Sequence, residues 1–507
     1  MRSPTGARPA SIRSFGDPRS PRFLITGDHW LEVPLDHREP GRPGPDDRSG
    51  HRDHSDSGHC ARSGSGRRAP GGVLRLYARE VRSALDPEAD LPYLVFLQGG
   101  PGGRSPRPGT ETPGWLEWAL QRFRVILLDQ RGTGRSGALD RHTLGLLGGG
   151  RDGARRQAEH LALFRADAIV ADCEVLRRHL LGDVPWTVLG QSFGGFCTWT
   201  YLSQAPAGLA AALVTGGVPP VGIEADEVYR ATSAALARRQ GDLDAAHPQV
   251  REVLAGVARQ LEHTPVYLPT GERLTPDRLR EVGAVLSASA GPDRLAHLAD
   301  DAWSVEGTVL SDTFLAEVAS VVSYAGRPLY ALVHEAIYAE RGQVTGWSAH
   351  RVQHELGLQE AVVAGPDGVE RLRLFGEMVF PHTVAADPAL ASLTDAAHLL
   401  AERSWTEPLY DPDQLSVNQV PVAACIYTQD MYVDPELSRR TVAATGSVTV
   451  LDDSLHHHDG LRRAGPEILD RLAEAMAELA PGALSEPRLG EQRDPAGAAD
   501  LPVAVAP

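Results

Sequence analysis

The chain has 507 residues, 42% of them hydrophobic and 23% charged, enough for one large domain with a big insertion and for a sizeable buried core. A net charge of −16 argues against a nucleic-acid partner, because phosphate binding needs clustered lysine and arginine. Cys60, Cys173, Cys197 and Cys425 form neither a CxxC pair nor a disulfide framework, the first residues lack the apolar run of a secretory signal, and no stretch approaches the ~20 apolar residues of a membrane span, so a cytoplasmic chain with free thiols is expected.

Residues 1–22 read as a flexible lead-in, and a strand-like stretch follows at 23–35. Residues 38–72 hold almost nothing apolar. Such a segment cannot bury enough surface to offset its ordering entropy, so a disordered loop is expected there, with His51, His54, His59 and Cys60 solvated rather than binding a metal. The alternation at 73–81 predicts a strand. The apolar runs at 93–97, 123–128 and 186–189 have the length of buried parallel strands. Residues 165–181 carry apolar side chains at helical spacing, and 211–215 read as a strand again. This alternation predicts an α/β fold with a mostly parallel central sheet.

From 219 to 410 long amphipathic patterns dominate, so a large helical cap is expected as an insertion. Strand patterns return at 422–427 and 447–451, and 467–479 reads as a closing helix. The organisation expected is a core over 23–218, a cap over 219–410, a second part of the core over 411–480, and a disordered tail over 481–507.

After the run at 186–189 comes Gly190-Gln191-Ser192-Phe193-Gly194, then a helical pattern. This is G-x-S-x-G with a strand before it and a helix after it, the context of a nucleophile elbow. A strand turning sharply into a helix leaves its serine strained and exposed at a helix N-terminus, where backbone N–H groups can hold an oxyanion. A serine implies acyl transfer through an acyl-enzyme. The strand at 93–97 ends in QGGPGG, a glycine-rich loop that suits a second oxyanion donor. Gly132-Thr133-Gly134-Arg135-Ser136-Gly137 matches G-x-G-x-x-G. No second strand ending in an acid follows at the right distance, so a structural loop is expected rather than a dinucleotide site.

In this fold the acid and then the histidine follow the serine. Asp430, just past the strand at 422–427, is the first candidate acid and Asp434 its competitor. One of His456, His457 and His458 should be the base; adjacent side chains diverge, so a three-histidine metal site is not expected.

FLQGGPG (96–102), LLDQRGTGRS (127–136), FRADAIVADCE (164–174), GQSFGGF (190–196), TGGVPP (215–220), PLYALVHEAIYA (328–339), GEM (376–378), DMYVDPELS (430–438) and HDGLR (458–462) together resemble the proline iminopeptidase family of α/β hydrolases, in its longer bacterial branch, over about residues 23–472. The resemblance implies an α/β-hydrolase fold and a triad of Ser192, Asp430 and His458. It also implies oxyanion donors at Gly100 and Phe193, and cap carboxylates that bind a substrate ammonium, at Glu335 or Glu377. The implied activity is a cofactor- and metal-independent serine aminopeptidase that releases N-terminal proline from short peptides with a free N-terminus. Two features depart from the family pattern: Gln98 replaces the usual histidine of HGGPG, and the 38–72 insert has no expected counterpart. Two alternatives remain at this stage: a related hydrolase of small esters or amides, and a non-catalytic binding protein of the same fold.

Overall fold

The computed structural model describes residues 12–15, 24–38, 72–109, 112–305, 307–365 and 367–484. Nine strands form the main sheet: β1 (Ile12–Phe15), β2 (Leu24–Pro34), β3 (Val73–Ser83), β4 (Tyr93–Leu97), β5 (Arg124–Asp129), β6 (Trp186–Gln191), β7 (Leu209–Thr215), β8 (Val422–Tyr427) and β9 (Val448–Asp453). Their spatial order is β1-β2-β3-β5-β4-β6-β7-β8-β9. The steps from β1 through β2 and β3 to β5 are antiparallel. Every later step is parallel.

The continuous apolar runs are explained by burial on both faces. Leu94 and Phe96 of β4, Val125 and Leu127 of β5, and Ala423 and Cys425 of β8 share a core with the helices Gly114–Leu120 and Gly460–Leu479. The alternate residues, Val95 and Leu97, Ile126 and Leu128, Val422 and Ala424, share the opposite core with the helices Ala166–Leu181 and Phe193–Gln204. Fully burying one such large side chain contributes roughly 1.5–3 kcal/mol, so the two faces together fix the register.

The lead-in expectation for 1–22 is corrected at Ile12–Phe15, which pairs antiparallel with β2 from Ile12↔Gly27 to Phe15↔Leu24. An edge strand offers unpaired N–H and C=O groups, and here a nearby length of the same chain takes them. The rest of 1–22 lies outside the described residues, as do 39–71, with His51, His54, His59 and Cys60, and 485–507. The two ends of the 38–72 insert are close together: β2 and β3 pair along their whole length, and Leu35 N–H donates to the Gly72 carbonyl at 2.8 Å. At the other terminus, Ala483 and Leu484 pack against the core of the closing helix.

The segment between β7 and β8 divides between two cores. The helices Ala225–Ala246, Gln249–His263, Gly291–Asp300 and Asp312–Val322 bury Leu236, Leu254, Leu295 and Phe314 in a core of their own. Three short hairpins accompany the helices. Leu329, Val333, Phe380 and Leu400, by contrast, join the core of the sheet. Buried arginines tie the parts together. Arg278 donates to Glu272, Glu281 and Asp387. Arg165 donates to the carbonyls of Ala339 and Glu407, and Arg131 to both oxygens of Asp172. Among the described residues, no helix is long and apolar enough to cross a membrane.

Candidate active site

β6 turns into the helix Phe193–Gln204 at Ser192, whose φ of 54° and ψ of −125° lie in a region that L-residues seldom occupy. The turn is tight enough that flanking side chains would collide. A Cβ at Gly194 would stand 1.8 Å from the Leu97 carbonyl oxygen, and one at Gly190 would stand 2.6 Å from the Gly194 carbonyl oxygen. Gly194→Ala is therefore expected to destabilise the fold by at least about 3 kcal/mol, measured as a fall in the urea midpoint; an unchanged midpoint would show that the elbow relaxes freely.

The elbow presents Ser192 to a histidine carried on the loop after β9. Ser192 Oγ–H donates to His458 Nε2 at 2.9 Å, and His458 Nδ1–H donates to Asp430 Oδ2 at 2.7 Å. Asp430 lies past the C-terminal end of β8, and its other oxygen accepts from the N–H groups of Tyr432 (2.8 Å) and Val433 (3.2 Å). All three side chains are buried. Burial opposes a charge on His458, but the Asp430 carboxylate outweighs it and raises the imidazole above its usual value.

The competing residues have other work. Asp434 caps the helix Pro435–Ala443, accepting from the N–H groups of Glu436 and Leu437. His456 pairs with Asp453 at 3.0 Å, and His457 Nδ1–H donates to the Gln429 carbonyl at 3.3 Å. The three adjacent histidines thus point to three different partners. The Gly132 cluster closes on itself, with Gly132 N–H donating to the Ser136 carbonyl and Arg135 N–H to Asp129.

The QGGPGG loop lies against the nucleophile. A Cβ at Gly99 would approach Ser192 Cβ to 2.8 Å, so only glycine lets this backbone come so close. Neither Gly100 N–H nor Phe193 N–H has an acceptor among the described residues, which leaves both free to face an oxyanion. Gln98, at the position that departs from the family pattern, folds back so that its Oε1 accepts from Gly99 N–H at 2.9 Å.

Ser192 and His458 open into a cavity of about 450 Å³, lined on its far side by residues of the inserted segment. Glu377 lines that cavity and Glu335 does not. Glu377 Oε1 accepts from the Tyr330 hydroxyl at 2.9 Å, and burial pushes its carboxyl up to about 7. Glu335 is also buried, with one oxygen accepting from Ala349 N–H at 2.9 Å and the other without a partner among the described residues. Burial raises its carboxyl as well. Of the two expected glutamates the structure sets only one on the wall beside Ser192. The site also holds groups that motif reading did not single out. Arg327 of the inserted segment lies over the rings of Tyr324 and Tyr330, and Tyr432, on the loop after β8, packs edge-on against His458 at 5.1 Å. Tyr330 falls inside PLYALVHEAIYA and Tyr432 inside DMYVDPELS, so the signal was present without a role attached to it.

A parallel sheet with its elbow serine at the end of a central strand, bonded through a histidine to an acid after a later strand, makes the chain a serine hydrolase of the α/β-hydrolase class. Residues 92–264 match the family model for the alpha/beta hydrolase fold. A proline iminopeptidase of Aeromonas sobria is 40% identical over 446 residues, covering 88% of this chain and 95% of that protein. Proline iminopeptidase aneH of Aspergillus aculeatus is 30% identical over 419 residues, covering 79% of this chain and 89% of that protein. The chain belongs to the proline iminopeptidase family.

Proposed function

We propose that the chain is a cytoplasmic aminopeptidase that releases N-terminal proline from short peptides, with Ser192, His458 and Asp430 as its catalytic residues. The observation that carries this reading is the buried carboxylate of Glu377 on the wall of the cavity that holds Ser192 and His458. A substrate ammonium placed there is paired in a water-poor site, where attraction is stronger than in bulk water. The buried, unpaired thiols of Cys173, Cys197 and Cys425 support a reducing compartment.

The chemistry then runs in two halves. His458 Nε2 takes the Ser192 proton as Oγ attacks the prolyl carbonyl carbon. Gly100 N–H and Phe193 N–H hold the oxyanion. His458 returns the proton to the departing amine as the C–N bond breaks, leaving a prolyl ester on Ser192. Water, deprotonated by His458, attacks that ester, and His458 returns this proton to Ser192 Oγ as the C–O ester bond breaks and proline leaves. Asp430 holds the imidazole in the Nδ1–H tautomer and stabilises its charged form.

The test compares a proline amide with its N-acetylated form. Acetylation removes the ammonium, so kcat/KM is expected to fall by at least about 100-fold, the scale of a buried charge left unpaired. Equal rates would favour a general ester or amide hydrolase instead.

A further inference from the structure

Apart from His458, the charged side chains lining the Ser192 cavity are Glu281, Glu377, Arg294, Arg327 and Arg462. Most are already engaged. Glu281 accepts from Arg278 and from the Thr383 hydroxyl. Arg294 donates to Glu317 at 2.9 Å. Arg327 lies over the Tyr324 and Tyr330 rings and favours the ionised form of Glu377. Arg462 is different: it lines the cavity, and among the described residues neither a carboxylate nor an aromatic ring pairs with it.

Its place in the chain decides which part of a substrate it meets. Arg462 lies four residues after the base, in the first turn of the helix Gly460–Leu479, and its charge is felt at His458. The amine that leaves in the first half-reaction must take its proton from His458 Nε2, so it lies within roughly 2.6–3.2 Å of that nitrogen. In a dipeptide the α-carboxylate carbon is two bonds beyond this amine, at most about 3 Å further on. In a longer peptide the same position holds a neutral amide. A guanidinium with free donors beside the base fits the charged group, because it can hold both carboxylate oxygens at once.

We propose that Arg462 is a specificity-determining residue that binds the free α-carboxylate of the leaving amino acid, so that dipeptides of the form Pro-Xaa are favoured over longer or capped substrates. This rests on the proline-releasing reading above. The cavity then matches both ends of a zwitterion: Glu377 takes the ammonium and Arg462 the carboxylate, in the cavity that also holds Ser192 and His458.

The experiment measures kcat and KM for Pro-Gly and for Pro-Gly amide, which differ only in that carboxylate, using the full chain and its Arg462→Gln and Arg462→Lys variants. The unsubstituted protein is expected to favour Pro-Gly by about tenfold in kcat/KM, mostly through KM, since an exposed arginine is partly screened by water. Arg462→Gln should bring the ratio close to one. Arg462→Lys keeps the charge without the two-pronged geometry and should keep part of the preference, still through KM, which a merely structural arginine would not predict. Cleavage of both peptides with no preference, or a preference that survives Arg462→Gln, would overturn the assignment. Failure to cleave either one would instead overturn the proline-releasing reading itself.

Discussion

Ser192→Ala is expected to lower turnover of proline amide by about 10⁵-fold or more, leaving only the rate that oxyanion donors and binding provide without a nucleophile. Its melting temperature should stay within about 2 °C of the unsubstituted protein, because the change removes one hydrogen bond at a cavity wall and no packed atoms. The hydroxyl bonds to His458 Nε2, and that nitrogen faces the cavity, where water can replace the lost partner. The unusual φ of 54° belongs to the turn and is the same for an alanine. A fluorophosphonate should label the unsubstituted protein at residue 192 and leave the variant unlabelled. Residual turnover above about one per cent, far more than binding and oxyanion donors leave behind in such knock-outs, would place the nucleophile elsewhere and dissolve the mechanism.

The parts legible in the sequence are those where one local rule decides the outcome. Parallel strands buried on both faces must be apolar throughout, so Tyr93–Leu97 and Val422–Tyr427 announced themselves. The elbow was visible because its turn demands glycine at Gly190 and Gly194, where any Cβ meets backbone. The acid and the base were narrower problems. Asp430 and Asp434 look alike in sequence, and only the fold shows one facing His458 and the other capping a helix. Likewise Glu335 and Glu377 both sit in motifs and both are buried, but one lines the Ser192 cavity and the other bonds a neighbouring helix N-terminus, and neither placement leaves a mark in local pattern. The edge strand Ile12–Phe15 was missed because its pairing partner, not its composition, makes it a strand. Several residues of the shared motifs turned out to hold elements together: Arg131 with Asp172, and Arg165 with the chain at Ala339.

Glu377→Gln is expected to lower kcat/KM for proline amide by about 10³-fold, chiefly through KM, because the substrate ammonium would enter a buried site without its counter-charge. The same change should make the protein more stable at pH 8. Burial holds the Glu377 carboxyl at about 7, whereas its ordinary value is 4.5. Between those values the folded chain binds a proton that the unfolded chain has released, so stability is lost as pH rises through that window. Above it, the folded protein carries a desolvated carboxylate at a cost of about 3 kcal/mol, which glutamine avoids while still accepting from the Tyr330 hydroxyl. The variant should therefore melt higher than the unsubstituted protein at pH 8, with the gap closing towards pH 4.5. Activity gives the matching sign. An ammonium binds the ionised carboxyl, so kcat/KM should rise with pH towards about 7, and the glutamine variant should lose the part of that limb not due to His458. A variant with unchanged KM and an unchanged melting curve would mean that Glu377 neither carries a buried charge nor receives the amine, and the ammonium would then have to be sought at Glu335, whose second oxygen has no partner among the described residues.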